Sequence, residues 1–147
     1  MKAVWTQALR EGAISGLLGG GLSAIALAVF GKRASGSAVA PINAVSHWVW
    51  GDEALHDDEA TMRHTPLGLA THMTAAVFWA VLSARVLRRN PVAGAAATSA
   101  TAFVVDYTVT PKRLRPGYEH RLDGVGMFAV YAALAAGLAA GALLQRD

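Results

Sequence analysis

Four apolar stretches, each close to the length that crosses a bilayer as a helix, divide the chain. They run over residues 11–31, 67–87, 92–109 and 125–144. A helix of about 20 apolar residues covers a hydrocarbon core of about 30 Å. Punctuation at their ends agrees with that reading. Pro66 suits the first helical position of the second stretch, and Arg85, Arg88 and Arg89 mark its far end. Asn90-Pro91 and Pro111 bracket the third, while Asp123-Gly124 and Gln145-Arg146-Asp147 bracket the fourth. The expected fold is an all-α membrane protein: a four-transmembrane-helix bundle in a single domain over residues 1–147. The long connecting segment is residues 32–66. Within it, Pro41 to Trp50 predicts a short interfacial helix that starts at the proline, with a short re-entrant segment as the alternative. Its Trp48 and Trp50 suit the membrane–water boundary, where a ring finds one apolar and one wet neighbour. The run from Asp52 to Glu59 is acidic and predicted to be solvated. The third span carries Thr98, Ser99, Thr101, Asp106 and Thr108, so it is expected to lie buried among the other three.

Small residues recur every fourth position. Gly12, Gly16 and Gly20 make one smooth face on the first span, Gly94 begins a similar series on the third, and Gly137 and Gly141 continue one on the fourth. Such faces let helix backbones approach closely and gain van der Waals contact that lipid does not match. They predict packing within the chain, with a homo-oligomer through one stripe as the sharper alternative.

Composition agrees with a membrane class: 54% of residues are hydrophobic and 16% charged. There is no cysteine, which excludes disulfides, thiolate metal sites and cysteine nucleophiles. The net charge of +3 comes from short basic clusters beside apolar runs (Lys32-Arg33, Arg88-Arg89, Lys112-Arg113), not from a basic face with interleaved aromatics. Nucleic acid is therefore not an expected partner; the lipid bilayer is. Lys2, Arg10, the apolar run and Ala38-Val39-Ala40 imitate a secretory signal, but Pro41 would follow the cut, and the run reads as the first span. Four crossings put both termini on one side. Six basic residues fall on that side and seven on the other, too even a division to orient the chain. Cytoplasmic termini in a bacterial inner membrane are the orientation adopted.

Polar chemistry gathers on the side opposite the termini. All five histidines (His47, His56, His64, His72 and His120) map there or to the adjoining half of a span, with Glu53, Asp106, Tyr107, Glu119 and Asp123. His72 and Asp106 fall inside predicted spans, where an ionisable group faces the protein interior and takes a partner. His72, Lys112, Arg113 and Arg121 are the candidates for Asp106. The cluster could relay protons or bind a ligand, or it could only fix helix register. Glu53-Ala54-Leu55-His56 places a carboxylate and an imidazole one turn apart, as in di-iron bundles, but occurs once, in a loop. No cofactor is expected; a divalent metal held by His47, His56 and His64 is the alternative. No Gly-x-Ser-x-Gly turn, phosphate-cradling glycine loop or inverted repeat is present. The basic segment from Thr110 to Tyr118 suits anionic headgroups or simple interfacial anchoring.

The glycine-striped first span (Gly12, Gly16, Gly20), the connection bearing Pro41, and the second span opening Thr65-Pro66-Leu67-Gly68 with His72 following resemble the YagU-like group of small bacterial inner-membrane proteins. The likeness covers roughly Glu11 to Val86. It implies an association with acid tolerance and no particular reaction. The expected role is accessory or stress-related and non-enzymatic. A metal-dependent membrane enzyme built on the histidine cluster and a small oligomeric channel or carrier are the alternatives.

Overall fold

The computed structural model of the chain describes residues 2–146; Asp147, counted above with the tail of the fourth span, lies outside them. All regular structure among the described residues is helical. Four helices are long and apolar enough to cross a membrane: α1 (Lys2–Ser35), α4 (Thr65–Arg89), α5 (Pro91–Val104) continued by a π-helical turn (Val105–Val109), and α6 (Gly124–Leu144). Each begins or ends within a few residues of the expected bounds, except α1. Its 34 residues rise about 51 Å, well beyond a hydrocarbon core. Between α1 and α4 lie α2 (Ala40–Val45), α3 (His47–Trp50) and a 3-10 helix (Asp52–His56). Two further 3-10 turns, Lys112–Leu114 and Tyr118–His120, precede α6.

The chain forms two compact units. Among the described residues, the first holds 2–23, 73–103 and 131–146; the second holds 24–72 and 104–130. In the first unit the small-residue stripes meet partners within the chain. A Cβ on Gly12 would lie 2.5 Å from Val81 Cγ2, and one on Gly16 would fall on the Val77 backbone. Gly20 faces Met73 and Ala76, so this face of α1 packs on α4. Gly137 meets Leu18 and Gly19, and Gly141 meets Ser15, so a second face of α1 packs on α6. Gly94 of α5 abuts the Val86 carbonyl of α4. Ser99 closes the ring by donating to the Tyr131 carbonyl of α6 at 2.6 Å. Gln145 Nε2 donates to Ser15 Oγ and to the Glu11 and Gly141 carbonyls, tying the end of α6 to α1.

The third span is not enclosed as expected. Its buried share is 28%, within the 22–39% of the four. Thr98 and Ser99 are buried, but Thr101 and Thr108 are exposed and donate to the carbonyls of Ala97 and Val104 one turn back. A hydroxyl satisfied by its own helix needs no neighbouring helix, which is why the polar residues did not force burial.

In the second unit, α2 is the centre rather than a surface element. Every residue of it is buried. Pro41 takes the first turn, where its missing N–H costs nothing, and packs on Gly31 of α1. Gly68 of α4 lies so close that a Cβ there would fall on the Ile42 carbonyl oxygen. The helix expected from Pro41 to Trp50 is thus two helices, the first sealed in protein. Of these two helices, α3 is the one that exposes apolar surface, at Trp48, Val49 and Trp50.

Candidate functional site

All the histidines and carboxylates singled out above belong to the second unit. Two constellations are defined by their hydrogen bonds, one around Asn43 and one around His47.

Asn43 organises the first. It is 0% exposed. Its Nδ2 donates to the carbonyls of Asp57 (3.0 Å) and Glu59 (2.8 Å), and its Oδ1 accepts from Thr65 Oγ1 at 2.7 Å. Both amide donors are used, so one side chain ties the acidic loop to α2 and to the start of α4. Thr61 adds the cap: its Oγ1 accepts from the His64 amide. The loop so held presents Asp57 to His64, whose Nδ1 lies 2.5 Å from Asp57 Oδ2. Asp57 also accepts from the Glu59 amide at 3.1 Å. The bond from His64, then that from the Glu59 amide, holds the Asp57 carboxyl below the ordinary carboxylate range.

The other ring nitrogen of His64 has a different setting. Nε2 is buried, has no hydrogen bond among the described residues, and lies 3.7 Å from Glu53 Oε1. That same oxygen takes Arg63 Nη2 at 2.6 Å. The Arg63 guanidinium stacks over the Trp50 ring, 4.5 Å from its centroid, and the indole N–H donates to the Arg63 carbonyl. His64, Glu53, Arg63 and Trp50 therefore form a chain of contacts from a buried imidazole to a half-exposed indole.

His47 anchors the second constellation. It is 6% exposed, with Nδ1 2.7 Å from the Ala44 carbonyl and Nε2 3.0 Å from the Arg113 carbonyl. The approach depends on Gly117, whose φ is +96°; a Cβ there would lie 2.6 Å from the Ala44 oxygen and 2.8 Å from His47 Nδ1. Glu119 accepts from the Gly117 amide at 2.7 Å and from the Tyr107 hydroxyl at 3.4 Å, and Arg115 donates to the Tyr107 carbonyl. Asp106 and Tyr107, both half-buried, sit on the π-helical turn closed by the Thr110 amide on the Val105 carbonyl.

Of the partners expected for Asp106, Arg121 is engaged by Asp58 and the Leu55 carbonyl, and Lys112 and Arg113 form no ion pair among the described residues. His72, the fourth, is buried with its ring edge-on to buried Tyr118, centroids 6.3 Å apart. Asp123 is a helix cap: its Oδ1 accepts from the Gly126 amide at 2.7 Å. His56 and His120 are exposed, the latter 3.9 Å from Glu119. Both ring nitrogens of His47 are directed at carbonyl oxygens, so neither points to a position shared with His56 and His64. Among the described residues no three of His, Asp and Glu are gathered to hold one.

Sequence reasoning missed Asn43, Asp57 and Thr61 as organising residues. A lone asparagine inside the apolar run Pro41-Ile42-Asn43-Ala44-Val45 was the available signal, since a buried amide must find partners. Asp57 was lost in the acidic run, where nothing sets it apart from Asp58. A groove of about 570 Å³ adjoins the second constellation; Asp52, Lys112, Arg113, Glu119 and His120 are among the residues lining it. Comparison of the chain with protein-family models, curated proteins and solved structures finds no match.

Proposed function

We propose that this chain is a small integral protein of the bacterial inner membrane, with its termini in the cytoplasm and a non-enzymatic, accessory role in stress, and that its second unit registers acidification. The observation that carries the reading is the placement of His64 between two carboxylates. One ring nitrogen is bonded to Asp57, and the other is bare and faces Glu53. A second proton on the ring goes to Nε2 and makes His64 a competitor of Arg63 for the Glu53 oxygen. Arg63 then loosens from the Trp50 ring. The likeness of residues 11–86 to the YagU-like group points to the same role, and the exposed tryptophans of α3 suit a helix pair at the membrane interface.

Trp50 fluorescence tests this in protein reconstituted into nanodiscs. Between about pH 8 and about pH 5, the emission of the wild type changes, and His64→Gln and Trp50→Phe each abolish the change. A flat wild-type profile, or an unchanged response in His64→Gln, contradicts the reading.

A further inference from the structure

The groove beside His47 has an occupant of definable chemistry. Two segments form it: residues 47–55, which bring Asp52, and residues 112–120, which bring Lys112 and Arg113. Its volume, about 570 Å³, is that of a site for a small polar group. Most of its polar lining is already engaged. His47 faces two carbonyls, Glu119 accepts from the Gly117 amide and the Tyr107 hydroxyl, and Arg115 donates through Nη2 to the Tyr107 carbonyl while its buried Nε has no hydrogen bond among the described residues. Asp52, Lys112 and Arg113 differ. All three are exposed, and none takes part in an ion pair among the described residues, with each other or with any other group. The groove thus carries two uncommitted cations from one segment and one uncommitted carboxylate from the other.

Its surroundings are apolar and fixed. Trp48 donates its indole N–H to the Arg115 carbonyl at 2.9 Å, which pins the ring beside the basic segment and leaves it 39% exposed. Val49 and Leu114, exposed at 60% and 46%, flank the same two segments. An aromatic ring with its polar edge satisfied and its face uncovered, next to cations, suits the headgroup level of a bilayer.

We infer that this groove seats the headgroup of an aminophospholipid, with the phosphate on Lys112 and Arg113, the ammonium on Asp52, and the acyl chains leaving over Trp48, Val49 and Leu114. The inference rests on the membrane reading proposed above. Two cations alone would favour any phosphate; the free carboxylate adds a preference for a headgroup that also carries N–H donors. A choline headgroup has the charge but no donor for Asp52, and a glycerol headgroup lacks the charge. The exposed apolar side chains favour a lipid over the same headgroup free in water.

The test reads lipids retained on the protein by native mass spectrometry after transfer from nanodiscs made with equal parts of phosphatidylethanolamine, phosphatidylglycerol and phosphatidylcholine. The ethanolamine lipid is expected in about threefold excess over each of the others, the size of one exposed ion pair. Asp52→Asn should equalise ethanolamine and glycerol lipids, and Lys112→Gln with Arg113→Gln should lower retention of all three. All three positions are exposed, so the variants keep the fold. No preference in the wild type, or an unchanged preference in Asp52→Asn, overturns the site; so does displacement of lipid by soluble phosphoethanolamine at equal concentration. Entry into nanodiscs without a headgroup preference defeats this site alone, whereas failure to enter them defeats the membrane reading.

Discussion

Asn43 shows how much one side chain can hold. Replacing it with alanine leaves the part-buried carbonyls of Asp57 and Glu59 and the Thr65 hydroxyl without the Asn43 amide. Each orphaned group costs about 1–3 kcal/mol, and some regain water as the loop loosens. Asn43→Ala should therefore destabilise the protein by about 2–4 kcal/mol, measured by denaturant unfolding in detergent micelles, and should expose the 52–59 loop to protease. Asp57 sets the acid limit of the same network. Its folded pKa lies below the unfolded value, so the bond contributes stability above about pH 4 and loses it as pH falls through the depressed folded value. Wild-type melting temperature should fall on acidification below about pH 4, and Asp57→Asn should flatten that slope. An identical acid slope in both proteins would remove Asp57 from the account. By residue type only Asn43 was legible, as a lone amide in an apolar run. The sequence marks a polar cluster, but which histidine meets which carboxylate depends on loop geometry between residues 57 and 65, with no repeating pattern to betray it.

The long elements were more legible than the residues. Hydrophobic runs located three of the four long helices closely, with flanking prolines for two of them, because the length of an apolar run and the missing N–H of proline are local constraints. The overrun of α1 at both ends was not legible, since helix continues through Trp5, Gln7 and Arg10 without any apolar requirement. Nor was the burial of α2, because an apolar hexamer can face either lipid or protein. The π-helical turn that carries Asp106 and Tyr107 has no sequence signal, yet such turns recur where side chains are re-aimed for function. The glycine stripes make a prediction at this scale. Gly16 is pressed on the Val77 backbone, whereas a Cβ on Gly21 would meet nothing within 4 Å. Gly16→Leu should lower stability by about 1–3 kcal/mol through overpacking, while Gly21→Leu should leave thermal unfolding unchanged or raise its midpoint. Equal effects would mean that the stripe does not hold α1 against α4.

For the molecule as a whole, the question is which solvent covers its apolar outside. Leu22, Phe78 and Phe103 stand 41%, 55% and 43% exposed, and less than two fifths of any span is buried within the chain. In water that surface would be a large uncovered apolar patch; in hydrocarbon it is matched by its solvent, and the close helix contacts of Gly12, Gly16, Gly137 and Gly141 supply the association energy. The pairing of His64 with Asp57 and the charges of the groove have their proposed meaning only if the spans are inserted. The absence of cysteine makes this directly measurable, because every introduced thiol is the only one in the chain. Single cysteines at Leu22, Phe78, Ala97 and Ala132, all exposed positions within the four spans, can be compared with cysteines at Asp58 and Arg89, exposed positions outside their apolar centres. In vesicles opened so that both faces are reachable, a membrane-impermeant maleimide should label Asp58→Cys and Arg89→Cys quickly and leave the four span positions unlabelled until the bilayer is dissolved in denaturing detergent. Labelling of the span positions at the rate of Asp58→Cys would show that water, not lipid, covers these helices.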